Sequence, residues 1–346
     1  MSQMLAEIRE QPTALERTLT EELKPIEDLR RRLEVQRPRL ILLAARGTSD
    51  NAAQFGRYLL EITTGIPVSL AAPSIFTLYR ASINLDGVLV IALSQSGEST
   101  DTNYVLERAR EQRALTIGVT NEPGSTMARI AEHTFLVRAG KEKSVAATKT
   151  YTGQMMMLYL LAYALGGSVK PGQLARVPEL ASIALKLEDE IAARSERYRF
   201  MEQAVVIGRG LNYSNAFEFA LKLMETCYVI AERFSSADLM HGPIAMVGQS
   251  FPAFLFTPSG VTWRGLSEML DKLDQVGAES LIVTDLSNGD ALRRVKRAIT
   301  IPAEIDDMLT PIPYIIPMQL FAARLAEQKG LNPDQPRTLS KVTRTL

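Results

Sequence analysis

Short, unbroken runs of apolar residues alternate with amphipathic stretches along most of this chain. Residues 88–93 read VLVIAL, a run typical of a strand buried on both faces of a parallel sheet. Comparable runs occupy 39–45, 67–71, 115–120 and 134–137, and the segments between them carry helical periodicity. This alternation predicts an α/β fold in which helices cover both faces of a parallel sheet.

The same pattern starts again in the second half of the chain. The segment AVVIGRGLNYSNAFEFALKLME resembles LILLAARGTSDNAAQFGRYLLE, FLFTPSG matches IALSQSG, and LIVTD matches IGVTN. Three matches at nearly one offset predict a duplicated domain. Each copy is expected to be a doubly wound parallel sheet that holds ligands beyond the carboxyl ends of its strands.

These patterns divide the chain into four segments. We expect a helical N-terminal segment at 1–37, a first domain at 38–168, a second domain at 169–332 and a tail at 333–346. Within the first segment, Pro12 and Pro25 are expected to separate short helices, because proline removes a helical hydrogen bond.

Composition and charge narrow the class of protein. Lys plus Arg and Asp plus Glu each number 39, so overall charge favours neither nucleic acid nor a membrane surface. The single cysteine, Cys227, excludes an internal disulfide. The N-terminus lacks the apolar run of a signal peptide, and the longest apolar stretch, 155–165, is too short to span a bilayer. We therefore expect a cytoplasmic protein with no nucleic-acid and no membrane partner.

The loop after the run at 88–93 reads SQSGEST and leads into a helical segment. Ser94, Ser96, Ser99 and Thr100 place four hydroxyl donors within seven residues, and the glycine among them lets a ligand approach the backbone. A strand, such a loop and a helix start together favour anion binding. Because the loop lacks the lysine of a nucleotide P-loop, we predict a phosphomonoester on a small molecule. The alternative is an ordinary serine-rich turn.

Lys222 and Glu225 lie three residues apart on a predicted helix and so share one face. A carboxylate beside an ammonium group can stay ionised in a partly dry cleft and act as a base. The alternative is a common surface salt pair.

The neighbouring sequence suggests a role for several other polar residues. His241 falls in a loop, HGPIAM, where functional groups concentrate, whereas His133 is assigned a structural role. Lys149 and Lys341 stand among small residues, which leaves open whether they lie near a ligand. No spacing of His, Asp or Glu indicates a metal site.

Five motifs, taken in order, resemble one family. They are SQSGES followed by DT, GKEKSVAATKTYT, EFALKLMET, HGPIAM and DQPRTLSKVT. Together they are similar to the sugar isomerase (SIS) family, and within it to the isomerase half of glucosamine-6-phosphate synthase and to stand-alone SIS-type glucosamine-6-phosphate deaminases. The resemblance covers nearly the whole chain and implies two flavodoxin-like domains.

The resemblance also implies roles for particular residues. Glu225 would move a proton between C1 and C2 of the sugar, with Lys222 beside it. His241 would assist ring opening in the site of the neighbouring subunit of a homodimer, and Lys341 would contact the reactive end of the sugar. No metal or organic cofactor is implied. The residues that would bind the phosphorylated sugar substrate are Thr48, Ser49, Ser94, Gln95, Ser96, Ser99, Val145 and Ser340.

Two departures from the synthase pattern indicate a different reaction or substrate. Ala147 replaces a serine and Met224 replaces a lysine. The sequence also begins at the helix that precedes the isomerase, without a candidate N-terminal cysteine nucleophile. We therefore expect an isomerising deaminase that converts glucosamine 6-phosphate to fructose 6-phosphate and ammonia. The alternatives are another phosphosugar isomerase or fructosamine-phosphate deglycase and, in a different class, a non-catalytic phosphosugar sensor.

Overall fold

Residues 2–339 are described by the structure, a computed structural model. They divide into two compact units. The first unit comprises residues 10–143, 147–178 and 339, and the second comprises residues 2–9, 144–146 and 179–338. The domain boundaries expected at 37, 168 and 332 stay predictions.

Each unit contains one five-stranded sheet whose strands all pair in parallel. The sheet of the first unit has the order β2-β1-β3-β4-β5, and that of the second has the equivalent order β7-β6-β8-β9-β10. The duplicated, doubly wound fold class is thereby confirmed. The strands are β1 Leu40–Ala44, β2 Val68–Leu70, β3 Val88–Ser94, β4 Leu115–Thr120, β5 His133–Leu136, β6 Gln203–Gly208, β7 Ile230–Ser235, β8 Pro252–Phe256, β9 Glu279–Asp285 and β10 Ala298–Ile301.

The helices alternate with these strands. In chain order they are α1 Gln3–Arg9, α2 Gln11–Val35, α3 Thr48–Thr64, α4 Pro73–Thr77, α5 Thr100–Glu111, α6 Thr126–Ile130, α7 Lys149–Ala164, α8 Pro171–Leu174, α9 Val177–Leu185, α10 Glu188–Glu196, α11 Tyr213–Lys222, α12 Ser236–Met240, α13 Trp263–Gln275, α14 Gly289–Arg294 and α15 Pro311–Gln328.

The core of the first unit lies on both faces of its sheet. Every residue of β3 is buried, as the unbroken apolar run predicts. Val90 packs on one face with Val105 and Leu106 of α5. Helix α7 is buried along almost its whole length and packs against α2 and α3.

The prediction that Pro25 ends a helix is wrong. Helix α2 runs unbroken through Pro25, whereas Pro12 sits in its first turn, where a missing N–H costs little. The inward face of α2 buries Leu15, Ile26 and Leu29. Packing of this apolar stripe compensates for the hydrogen bond that Pro25 removes.

The second unit is organised around a cluster of aromatic rings. The rings of Phe219, Phe254 and Phe321 meet edge to face, with centroids 5.2 to 5.8 Å apart, and Tyr198 joins them at 5.3 Å from Phe254. These contacts seat α11 and α15 on the sheet. They fix the end of α11, from which the chain continues to the predicted base, Glu225.

Candidate functional site

Two loops meet at the reversal of strand order in the first unit. Strand β2 pairs with one edge of β1 and β3 pairs with the other edge, so the strand order reverses between β1 and β3. Doubly wound sheets bind ligands at such a point, outside the carboxyl ends of the strands. The loop after β1 leads to Thr48 at the start of α3, and the loop after β3 holds residues 95–99. The predicted phosphate residues of this unit therefore lie at its expected ligand site.

The serine hydroxyls of the loop accept hydrogen bonds from the loop's own backbone. The Oγ of Ser94 accepts from the N–H of Gly97 (3.1 Å), and the Oγ of Ser96 accepts from the N–H of Glu98 (3.3 Å). A hydroxyl that accepts in this way can still donate its own hydrogen. Both serines can therefore present an O–H to an anion without rearranging.

Further hydrogen bonds hold the loop in one shape. The carbonyl of Gly97 accepts from the side chain of Asn103 and from the N–H of Met127, both at 3.0 Å. The carbonyl of Gln95 accepts from the N–H of Asn121 (3.1 Å). Gly97 has a φ of +64°, and a Cβ there would overlap with the side chain of Ser125. This position therefore requires glycine for conformation and for space.

A charged side chain beside the loop is paired with an opposite charge within the first unit. The guanidinium of Arg46 donates to the buried carboxylate of Asp101 from Nη2 (2.6 Å) and Nε (3.1 Å). Half of the Arg46 side chain remains exposed. Ser49 is buried at the start of α3, where its Oγ accepts from the side-chain amide of Gln154 (2.9 Å). Arg46 thus secures the first turn of α5, and Gln154 secures Ser49.

In the second unit, α11 continues into a π-helical turn at Leu223–Cys227. Such turns are rare and frequently occur at functional sites. The hydroxyl of Thr226 donates to the carbonyl of Lys222 (2.7 Å), and Tyr228 ends the turn in the left-handed conformation. Glu225 therefore stands on a local irregularity at the end of α11.

Lys222 is fully buried between two carboxylates. Its Nζ lies 2.6 Å from Glu225 and 3.2 Å from Glu218, which is also fully buried. Burial alone lowers the pKa of Lys222, but the two carboxylates outweigh burial and hold this pKa above its ordinary value. The alternative of a surface salt pair is therefore wrong, because the ammonium group has no exposure.

The Glu225 carboxylate is held at one oxygen, and its other oxygen accepts no hydrogen bond within residues 2–339. Its Oε2 accepts from Lys222, and 23% of the side chain is exposed. Within residues 2–339, Lys222 is its only hydrogen-bond partner. An ionised carboxylate fixed in this way can accept a proton at Oε1.

The remaining predicted site residues have varied positions. His241 is exposed at the end of α12, and Val145 is half-buried in the segment 144–146 of the second unit. Ser340 and Lys341 lie outside the described residues. Lys149 is buried, and its Nζ donates to Glu10 (2.6 Å) and to the carbonyl of Lys141 (2.8 Å). These internal partners give Lys149 a structural role.

Sequence reasoning missed three residues that support these groups. Glu218 carries the clearest signal, because it stands four residues before Lys222 on the same helix and so shares its face. Asp101 lies directly after the serine-rich loop, and Gln154 lies within an apolar helix. A buried polar residue requires a partner, but the sequence alone did not identify which.

The model of the SIS domain matches this chain twice, at residues 34–164 and 200–326. Together the matches cover more than half of the chain. The chain belongs to the SIS family. Its duplicated sheets and the two matches agree in number and order.

Individual SIS proteins resemble the chain over almost its full length. It is 36% identical to glutamine–fructose-6-phosphate aminotransferase (isomerizing) of Methanothermobacter thermautotrophicus over 338 residues, which are 98% of this chain and 56% of that protein. The chain thus spans a little over half the length of that relative. The C-terminal domain of glucosamine-fructose-6-phosphate aminotransferase from Francisella tularensis superimposes with a TM-score of 0.87 at 29% identity, covering 97% of this chain and 98% of that one.

A more distant structure shows the fold alone. Glucosamine-6-phosphate deaminase from Thermotoga maritima has a TM-score of 0.72 at 21% identity, with coverage of 96% of this chain and 100% of that one.

Two further observations concern residues 2–339. No helix there is both long enough and apolar enough to cross a membrane. No group of three or more His, Cys, Asp or Glu side chains in this range is arranged to hold a metal ion.

Proposed function

We propose that this chain is a phosphosugar isomerase of the deaminating type, which converts glucosamine 6-phosphate and water to fructose 6-phosphate and ammonia. The observation that carries the proposal is the Glu225 carboxylate, which the buried Lys222 holds at one oxygen and whose side chain is 23% exposed. The isomerising aminotransferases to which the chain is similar support the substrate class.

Glu225 would act on the open-chain sugar. Its Oε1 takes the proton from C2, and return of a proton to C1 gives an imine at C2. Water adds to that imine, ammonia leaves, and the product is the ketose phosphate. Lys222 remains protonated because its pKa is raised, so it fixes Glu225 and does not compete as a base.

The loop at residues 94–99 would bind the phosphate. Ser94 and Ser96 would donate their hydroxyl hydrogens, and the N-terminus of α5 adds favourable partial charge. Thr48, Ser49 and their helix would add donors from the neighbouring loop, and Val145 would line the sugar through its backbone. Binding and proton transfer thus fall to different residues, so variants of each should affect KM and kcat separately.

Two residues favour a deaminase over the synthase reaction. Met224 is 37% exposed directly before Glu225, where the synthase pattern has a lysine, so the turn carries one cation fewer. Ala147 lacks the hydroxyl of that pattern. Both changes leave the proposed base intact and alter its surroundings.

We further propose a homodimer in which His241 serves the neighbouring site. Mixing Glu225→Gln protein with His241→Ala protein, under conditions of subunit exchange, should restore part of the activity. A mixed dimer then carries both defects in one site and neither in the other. Verified exchange without any recovery would contradict the shared site.

The proposed reaction is tested by measuring ammonia and fructose 6-phosphate from purified protein with glucosamine, galactosamine and fructosamine phosphates. We expect turnover of glucosamine 6-phosphate, with Glu225→Gln at least about a hundredfold slower and KM nearly unchanged. Ammonia from fructosamine phosphate alone would indicate a deglycase. Isomerisation without ammonia would indicate an ordinary isomerase, and binding without turnover would indicate a sensor.

A further inference from the structure

Two anchors hold the chain immediately before Ser340 and Lys341 against the second unit. The carboxylate of Asp334 accepts from the hydroxyl of Ser2 (2.8 Å) and from the N–H groups of Gln3 and Met4 (2.7 Å each). This contact fixes the approach to the C-terminus at the start of α1. Terminal segments are ordered only where such contacts exist.

The second anchor is Tyr228, the residue that ends the π-helical turn. Its hydroxyl accepts from the N–H of Arg337 (2.9 Å). The guanidinium of Arg337 lies over its ring, 4.1 Å from the centroid, which adds a cation–π attraction. One side chain therefore contacts both the backbone and the side chain of Arg337.

Tyr228 also adopts an unfavourable backbone conformation. Its φ of 55° and ψ of 34° lie in the left-handed region, where a bulky residue is strained. Glycine or asparagine would satisfy this turn more easily. The anchoring of Arg337 gives a reason for tyrosine here, because neither alternative supplies an aromatic ring and a hydroxyl.

We propose that Tyr228 is a positioning residue that couples the turn bearing Glu225 to the C-terminal segment bearing Lys341. Only two residues separate Tyr228 from Glu225, and three separate Arg337 from Lys341. Tyr228 fixes the position of Arg337, which precedes that segment in the chain. Only the expected effect of Tyr228 on turnover rests on the proposed function. The anchor itself is a contact within the second unit.

The test compares Tyr228→Asn, which suits the left-handed conformation, with Tyr228→Phe, which keeps the ring. The matched control is Phe200→Ala, because Phe200 also lies under an arginine, Arg199, at 4.6 Å. Trypsin release of residues 338–346, followed by intact mass, should be about tenfold faster for Tyr228→Asn than for wild type. Tyr228→Phe should fall between the two, and the control should match wild type.

Turnover supplies the second measurement. Tyr228→Asn should lower kcat about tenfold or more with KM for the phosphosugar unchanged, and this loss should vanish when Lys341→Ala is already present. Unchanged trypsin release would overturn the anchor. A kcat loss that persists in the Lys341→Ala background would overturn the coupling. If wild type turns over no phosphosugar, the proposed function fails, and the trypsin measurement still decides the anchor.

Discussion

Replacing Lys222 with methionine should disrupt stability and activity together. Methionine matches the length of the side chain but removes the cation between Glu218 and Glu225. Glu225 is partly exposed and can be hydrated, whereas Glu218 is fully buried and loses this cation without access to water. The buried Glu218 carboxylate therefore sets the size of the effect.

Removing one partner of a buried ion pair costs about 3–5 kcal/mol in the free energy of unfolding. Lys149→Met provides a matched control, because Lys149 is equally buried but its carboxylate partner Glu10 is half exposed. There the remaining carboxylate stays hydrated, and we expect a loss of about 1–2 kcal/mol. The difference between the two variants measures the cost of removing a cation from beside a buried carboxylate.

Urea unfolding at pH 5 and pH 8 measures both losses. The Lys222→Met deficit should exceed the Lys149→Met deficit at both pH values, because the raised pKa of Lys222 keeps it charged in the wild type across that range. Turnover of Lys222→Met should fall at least about a hundredfold. A deficit no larger than that of Lys149→Met would refute the buried-pair argument.

Two further predictions concern other parts of the chain. Gly97→Ala should weaken phosphosugar binding at least about tenfold and lower the free energy of unfolding by about 2 kcal/mol, because it strains the left-handed backbone and collides with Ser125. A Cβ at Gly124 meets open space, so the control Gly124→Ala should change neither the affinity nor the stability. Ligand titration and denaturant unfolding of both variants measure the two effects. Burial and two neighbouring aspartates raise the pKa of Asp307 to about 6, so its ionisation opposes folding above that pH. Asp307→Asn should therefore stabilise the protein by up to about 2 kcal/mol at pH 8. This gain in stability should disappear below about pH 4. An equal gain at both pH values would show that it does not come from the ionisation of Asp307.

The hydrophobic pattern predicted most of the fold because parallel strands and their helices leave strong periodic signals. The apolar run at 88–93 became the fully buried β3, and the internal repeat became two sheets of equivalent strand order. Pro25 was misread because packing of α2 outweighed a local preference. Predictions from local sequence preference fail where tertiary packing contributes more to the free energy of folding than that preference does.

The candidate site was only partly predictable from the residues. The serine-rich loop and the spacing of Lys222 and Glu225 carry local signals. The π-helical turn and the burial of Lys222 beside Glu218 do not, because they depend on how α11 packs in the second unit. The pairing of Arg46 with Asp101 joins residues 55 positions apart, and no periodicity records such a contact.

We propose that Glu225 moves the proton between C2 and C1 of an amino-sugar phosphate. The most direct measurement follows glucosamine 6-phosphate deuterated at C2 through one round of turnover by wild type and by Glu225→Gln. We expect wild type to turn over the labelled sugar more slowly, with deuterium found at C1 of fructose 6-phosphate or in water, and Glu225→Gln to show neither transfer nor exchange. Ammonia release in which deuterium stays at C2, or normal transfer by Glu225→Gln, would contradict it.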